Sequence, residues 1–318
     1  MGITERIDAI TALPRSRRAT TLPAPKSVKI ELTGRCNFAC AFCARVQRLR
    51  EQKDMDRALF ERLAIEMRGV GVEELGLFYL GESFLVPWLE EAVRFAKQEA
   101  GYPYVFLTSN GSLAAPARVR ALMEAGLDSL KFSLNYADTA QFTEIARVKG
   151  QLFETVIENV KAARPIREEV EERTGQRCGL YGSYIAYDGA QGQRMADTVT
   201  ALTPYLDEIY ALPLYNQAAL VGEDMEARGF EVTAGNRGRL DRLREPLPCW
   251  SLFTEGHVSW HGKLVGCCFA HTDDFEFGDL TETSFMAAWN SPRAQRLRQA
   301  NLNRDVTGTP CEDCVAYA

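Results

Sequence analysis

The run VKIELTGRCNFACAFC, residues 28–43, decides the fold. Its first five residues alternate. Val28, Ile30 and Leu32 share one face and Lys29 and Glu31 the other, which is the period of a β-strand. The strand leads straight into Cys36, Cys40 and Cys43, spaced C-x3-C-x2-C. Three thiolates from one short loop can hold three irons of a cubane. Such clusters usually take four cysteines, so this loop leaves one iron open to an outside ligand. A structural zinc site needs a fourth protein ligand, and neither Asp nor His follows within ten residues.

Outward from this run, strands and helices alternate. Strands are expected at 75–80, 104–108, 129–134, 180–187 and 209–214. Helices are expected at 57–67, 88–98, 116–125, 152–163 and near 194–202. Repeated strand–helix steps argue a parallel α/β architecture. A closed eight-fold barrel takes about 250 residues, so a partial, open barrel fits residues 28–215 better. Strands buried on both faces read as continuous apolar runs. The run LKFSLN instead places Lys131, Ser133 and Asn135 opposite Leu130, Phe132 and Leu134. This polar face is expected to line the barrel interior, together with Lys29 and Glu31. Residues 1–27 read as an irregular arm, because Pro14, Pro23 and Pro25 break helices and Arg15, Arg17 and Arg18 form a basic patch. Residues 216–248 read as a connector. Residues 249–318 read as a second unit, with a hairpin at 256–267 turning at His261-Gly262 and helices at 284–290 and 292–301.

Composition excludes other classes. The 318 residues are 46% hydrophobic and 25% charged, ordinary for a globular chain. The 37 basic and 43 acidic residues leave a net charge of −6, so no nucleic-acid footprint is expected. No apolar run reaches the length of a membrane span, and no signal pattern opens the chain. A cytoplasmic protein with no membrane partner is expected.

Nine cysteines, an odd number, suit metal binding in a reducing compartment better than disulfides. Besides the first three, Cys249 and Cys267 on the hairpin and Cys311 and Cys314 on a terminal C-x2-C knuckle can converge on one centre. Four thiolates suit zinc or a cubane. Cys268 adjoins Cys267, and neighbours on a strand point to opposite faces, so the two are not expected to share a cluster. Cys178 reads as structural. The only histidines are His257, His261 and His271. His257 and His261 read as hairpin-surface residues. His271, Glu31, Lys131 and Tyr181 are the candidates for a catalytic base.

The cysteine motif after the first strand, with Phe42 before its last cysteine, resembles the radical S-adenosylmethionine (SAM) superfamily. The second set resembles its SPASM/twitch subgroup, as do Pro248-Cys249-Trp250 and Gly278-Asp279-Leu280 with Trp289-Asn290. The resemblance implies an α/β fold: a partial (β/α)6 TIM-like barrel with a small C-terminal cluster-binding domain. It implies a catalytic [4Fe–4S] cluster on Cys36, Cys40 and Cys43, with SAM on the open iron. It also implies an auxiliary [4Fe–4S] cluster on Cys249, Cys267, Cys311 and Cys314, and a flavodoxin or ferredoxin electron donor. SAM contacts carry over to Gly81 and Glu82 (Leu80 replaces the family's first glycine), Ser133, Asn135, Arg147 and Leu212. Reductive cleavage of SAM would give a 5′-deoxyadenosyl radical that abstracts a substrate hydrogen atom. The expected substrate is a small molecule, a sugar or aminocyclitol alcohol oxidised to a ketone as the auxiliary cluster takes the electron. The alternatives are epimerisation with Cys268 returning the hydrogen, peptide crosslinking, which the short arm disfavours, and a zinc-knuckle binding module.

Overall fold

The computed structural model describes residues 2–187, 189–221, 223–232, 247–312 and 314. A first helix α1 (Ile3–Thr11) precedes strand β1 (Ser27–Ile30). Then come α2 (Arg57–Gly69), β2 (Glu74–Gly76), α3 (Leu89–Arg94, continued by a π turn at Phe95–Glu99), β3 (Tyr104–Ser109) and α4 (Pro116–Ala125). The core closes with β4 (Ser129–Ser133), α5 (Thr139–Ala146), α6 (Gln151–Thr174), β5 (Gly179–Ile185), α7 (Gly189–Leu202) and β6 (Glu208–Leu212). After α8 (Glu223–Glu226) the C-terminal part adds α9 (Ser251–Thr254), β7 (Glu255–Val258), β8 (Lys263–Val265), β9 (Glu276–Asp279), α10 (Phe285–Trp289) and α11 (Pro292–Asn303).

The strands form one sheet in the order β6-β5-β4-β3-β2-β1-β7-β8-β9. β1 to β6 are all parallel, as a partial barrel requires. Helix α2 illustrates why its partners form. Asp56 caps it by accepting from the Leu59 N–H at 2.9 Å, and Phe60, Leu63, Ala64 and Met67 bury one stripe against the sheet. The core is apolar on the helix side, with Val28, Ile30, Leu130 and Phe132 fully buried. The expected alternation of β1 and β4 therefore holds.

Four expectations change. The arm is not irregular throughout: its prolines begin after Thr11, and α1 packs Ile3 and Ile10 inward while Arg6 pairs with Glu74 at 2.6 Å. The helix expected to stop at residue 163 runs through Pro165 to Thr174, because Ile166 and Val170 stay buried and Arg167 pairs with Asp207 at 2.9 Å. Helix α5 was not expected. Its signal was Asp138 followed by Gln141: the Asp138 carboxylate accepts from the Gln141 N–H at 2.8 Å, ahead of the buried Phe142 and Ile145. Finally, the C-terminal part is not a detached unit. β7 pairs in parallel with β1, Ser27 opposite Glu255 and Lys29 opposite His257, so the hairpin continues the barrel wall. Residues 233–246 of the expected connector lie outside the described residues.

Candidate active site

The first cysteine loop is held from three sides. Phe38 anchors it in the core, edge-on to Phe142 with centroids 5.3 Å apart. The Ala39 and Ala41 N–H groups donate to the Ala146 and Ile145 carbonyls at the C-terminal end of α5 (3.0 and 2.8 Å). Gly81 closes the third side, and the Glu82 N–H donates to the Arg35 carbonyl at 2.8 Å. A Cβ on Gly81 would lie 2.0 Å from the Thr33 carbonyl oxygen. Close backbone approach therefore demands glycine here, whatever else the residue contacts.

Cys36, Cys40 and Cys43 are free thiols on this loop. Burial pushes Cys36 up to about 11 and raises Cys40 and Cys43 as well. Cys36 feels Cys43 electrostatically, and Cys40 feels both Cys36 and Cys43. Polar groups already approach the sulfurs: the Tyr136 hydroxyl lies 2.7 Å from Cys40 Sγ, and Asn110 Nδ2 lies 3.9 Å from Cys36 Sγ. Among the described residues no three cysteines, histidines or carboxylates converge on one ion position. Desolvated thiols with polar groups turned to the sulfur fit the ligands of an iron–sulfur cluster.

The expected SAM contacts surround this loop at the C-terminal ends of the strands. Glu82 is buried, and burial raises its carboxyl. It accepts from the Ser109 hydroxyl (3.0 Å), the Asn110 N–H (2.8 Å) and the Phe84 N–H (3.1 Å), which ties β2 to β3. Ser133 ends β4, the Asn135 carbonyl accepts from the Tyr187 hydroxyl at 3.0 Å, and Leu212 ends β6. The Phe42 carbonyl accepts from Gln217 Nε2 at 2.7 Å. Arg147 caps α5 with a left-handed φ of 54° and lines an outer cleft beside Cys43.

The second cysteine set is also assembled. The Cys249 N–H donates to Asn301 Oδ1 at 3.1 Å, the Phe269 N–H to Cys267 Sγ at 3.3 Å and the Cys314 N–H to the Cys311 carbonyl at 3.1 Å. Cys249 feels Cys311, Cys268 and Cys314 electrostatically, so these sulfurs neighbour one another. The opposite-faces argument for Cys268 fails because β8 ends at Val265. The two thiols sit at a turn, close enough for Cys268 to raise Cys267 electrostatically. Cys178 is buried apart from both sets, as expected.

The barrel lumen, which reaches Cys268 beside the second set, is a cavity of about 230 Å³ closed at its N-terminal face by α1. Cys268, Lys29 and Lys131 line it. Lys29 Nζ meets Glu255 at 2.7 Å, and His257 Nε2 meets the same carboxylate oxygen at 3.0 Å. Burial alone raises the Glu255 carboxyl, but these two neighbours outweigh it and hold the group at about 2.

Three expected roles do not survive this geometry. His257 is no surface residue: β7 is buried, and the His257 ring packs on Tyr79 at 5.1 Å. Glu31 is fully buried in an ion pair with Arg50, accepts from the Trp260 N–H at 3.2 Å, and does not line the lumen. His271 lies 3.2 Å from Gln217 Oε1 rather than at the lumen, and burial followed by Arg50 and Arg45 pushes it down to about 3. A base works best with a pKa near the working pH, which His271 does not offer; burial raises the Glu31 carboxyl, but its ion pair with Arg50 holds it away from the lumen. Sequence reasoning also missed Tyr79. Its hydroxyl donates to the Cys267 carbonyl at 2.6 Å and accepts from the Ala270 N–H at 3.1 Å. This pins the second cysteine turn to the strand end that carries Gly81. Its only signal was its position two residues before Gly81.

Comparison with known proteins identifies two domains in the chain. Residues 30–171 match the radical SAM superfamily, and the chain carries that domain. Residues 249–315 match the iron–sulfur cluster-binding SPASM domain, so this is a radical SAM protein with a SPASM extension. Its cofactors are accordingly a [4Fe–4S] cluster with SAM, and auxiliary iron–sulfur. The GTP 3′,8-cyclase of Chlorobaculum tepidum is 35% identical over 120 residues, 38% of this chain and 36% of that protein. The match thus spans about a third of that relative. The PqqA peptide cyclase of Xanthomonas campestris pv. campestris is 26% identical over 300 residues, 86% of this chain and 76% of that protein. Two solved structures share the fold at 14% identity. BtrN in complex with AdoMet and 2-DOIA has TM-score 0.58, covering 92% of this chain and 91% of that one. Streptococcus suis SuiB bound to precursor peptide SuiA has TM-score 0.65, covering 93% and 71%. Among the described residues no helix is long and apolar enough to cross a membrane.

Proposed function

We propose that this enzyme abstracts a hydrogen atom from a small polar alcohol, a sugar or aminocyclitol, and oxidises it to a ketone. The observation that carries this reading is the lumen: about 230 Å³, lined by Lys29, Glu255, Lys131 and Cys268, and closed by α1. That is below the roughly 300–1,000 Å³ of sites for drug-sized ligands. It suits a monosaccharide-sized molecule better than a folded peptide loop.

When bound, the catalytic cluster and SAM would supply a hydrogen-abstracting radical, and the auxiliary cluster would supply an acceptor for the second electron. Cys36, Cys40 and Cys43 would hold the first cluster. Cys249, Cys267, Cys311 and Cys314 would hold the other. Gly81, Glu82, Ser133, Asn135 and Leu212 would frame SAM at the strand ends, with Phe42 beside the cluster. Lys29, kept protonated by Glu255 despite its burial, would orient the reacting hydroxyl, and the Glu255 carboxylate beside it in the lumen would take the hydroxyl proton. Helix α1 would keep water out of the chamber. A flavodoxin or ferredoxin would be the reductant.

Anaerobic turnover of candidate sugars, scored for 5′-deoxyadenosine and product mass, tests this. A product two mass units lighter is expected, and a product of unchanged mass overturns the reading. Unchanged mass with solvent deuterium incorporated, lost in Cys268→Ala, selects the epimerase. A second reading, peptide modification, draws on the long match to PqqA peptide cyclase and on the open cleft beside Cys43. Turnover of a peptide and of no sugar would select it.

A further inference from the structure

We propose that the substrate carries a carboxylate or phosphate group, and that Lys131, Thr108 and Tyr210 form its anchor. This deepens the reading above and rests on the lumen being the substrate chamber. The charges that line the lumen are compensated with one exception. Arg6 pairs with Glu74 at 2.6 Å and stacks on the Tyr104 ring at 3.5 Å. Lys29 pairs with Glu255 at 2.7 Å. Lys131 has no carboxylate partner among the described residues, and its Nζ meets only the Tyr210 hydroxyl, at 3.2 Å.

An ammonium turned into a cavity without a counter-charge loses hydration for no return unless a ligand supplies the anion. The neighbouring groups are also donors. Thr108 lies opposite Lys131 in the β3–β4 register, lines the same cavity, and its hydroxyl has no hydrogen-bond partner among the described residues. Tyr210 lines the cavity from β6. One ammonium and two hydroxyls on adjacent parts of the wall match the several acceptor oxygens of a carboxylate or phosphate. They mismatch an amino group. This makes Lys131 an anchor, and the wall that carries Lys29 and Cys268 is left to the reacting carbon.

The test is binding, so it stands apart from the product-mass test of the oxidation. Calorimetric titration of the holoenzyme at constant ionic strength compares D-glucose 6-phosphate and D-glucuronate with D-glucose and D-glucosamine. At least one acid is expected to bind roughly tenfold tighter than glucose, about 1.4 kcal/mol. Which acid wins tells phosphate from carboxylate. Lys131→Met should abolish the preference and Lys131→Arg should keep it, with SAM affinity unchanged in both. The proposal is overturned if neither acid binds, if glucosamine or glucose binds as tightly as the acids, or if the preference survives Lys131→Met. It is also overturned if Lys131→Met weakens SAM instead. Should Lys131→Met fail to fold, Lys131→Gln takes its place under the same criteria.

Discussion

Replacing Gly81 with alanine adds one methyl where the chain has no room. The new Cβ would sit 2.0 Å from the Thr33 carbonyl oxygen, 2.7 Å from the Arg35 carbonyl oxygen and 2.9 Å from the Thr33 carbonyl carbon. Ordinary C···O contact is about 3.3 Å, so the backbone at 33–35 must retreat by about 1.3 Å. No flexible side chain can absorb the shift, because every atom met is main chain. Overpacking of this kind costs typically about 1–3 kcal/mol. The larger effect is positional, since Cys36 follows Arg35 directly and the Glu82 N–H bond to Arg35 breaks. A misplacement of about 1 Å at a reacting centre can lower a rate about 100-fold. Anaerobic reconstitution should therefore leave Gly81→Ala with about half the iron of the parent, the auxiliary set still filled. 5′-Deoxyadenosine formation should fall by about two orders of magnitude. Gly69→Ala, whose Cβ meets nothing within 4 Å, is the control and should match the parent. Full iron and unchanged 5′-deoxyadenosine formation in Gly81→Ala would refute the steric argument.

Glu255 gives a pH signature. Its carboxyl sits at about 2 against an ordinary 4.5, so its contribution to stability is complete above 4.5 and disappears as pH falls from there through about 2. Urea unfolding of the metal-free protein should show the advantage of parent over Glu255→Gln shrinking across that window, and a constant difference would contradict it. Asn301→Ala strips the Cys249 N–H of its acceptor. A melting shift corresponding to about 1–3 kcal/mol is expected, with loss of auxiliary iron but persistent 5′-deoxyadenosine formation. His271, pushed down to about 3, stays neutral across pH 5–8. A pH–rate profile of His271→Asn that loses a limb in that range would show that the residue titrates in catalysis after all.

Much of the architecture was legible in the primary structure because its signals are local. The alternation in residues 28–32, the three cysteines that follow and the helical stripe of α2 each need only a few neighbouring residues to act. Helix α1 was hidden because the prolines behind it dominated the segment, and α5 because its apolar stripe is short. The histidine assignments erred for a different reason. A hairpin reads as solvent-exposed, and nothing near His257 signals that β7 docks on β1 and takes the ring out of water.

The chain alone determined the partial barrel and the spacing of both cysteine sets, since strand period and residue spacing are written over short distances. Tertiary structure decided what those elements enclose. Lys29, Glu255 and His257 meet only through the β1–β7 pairing, Lys131 and Tyr210 only through the β4–β5–β6 register, and α1 becomes a floor only when Arg6 reaches Glu74. The physical reason is that a strand's pattern tells which face is polar. What a polar side chain finds across the lumen depends on how the sheet curls.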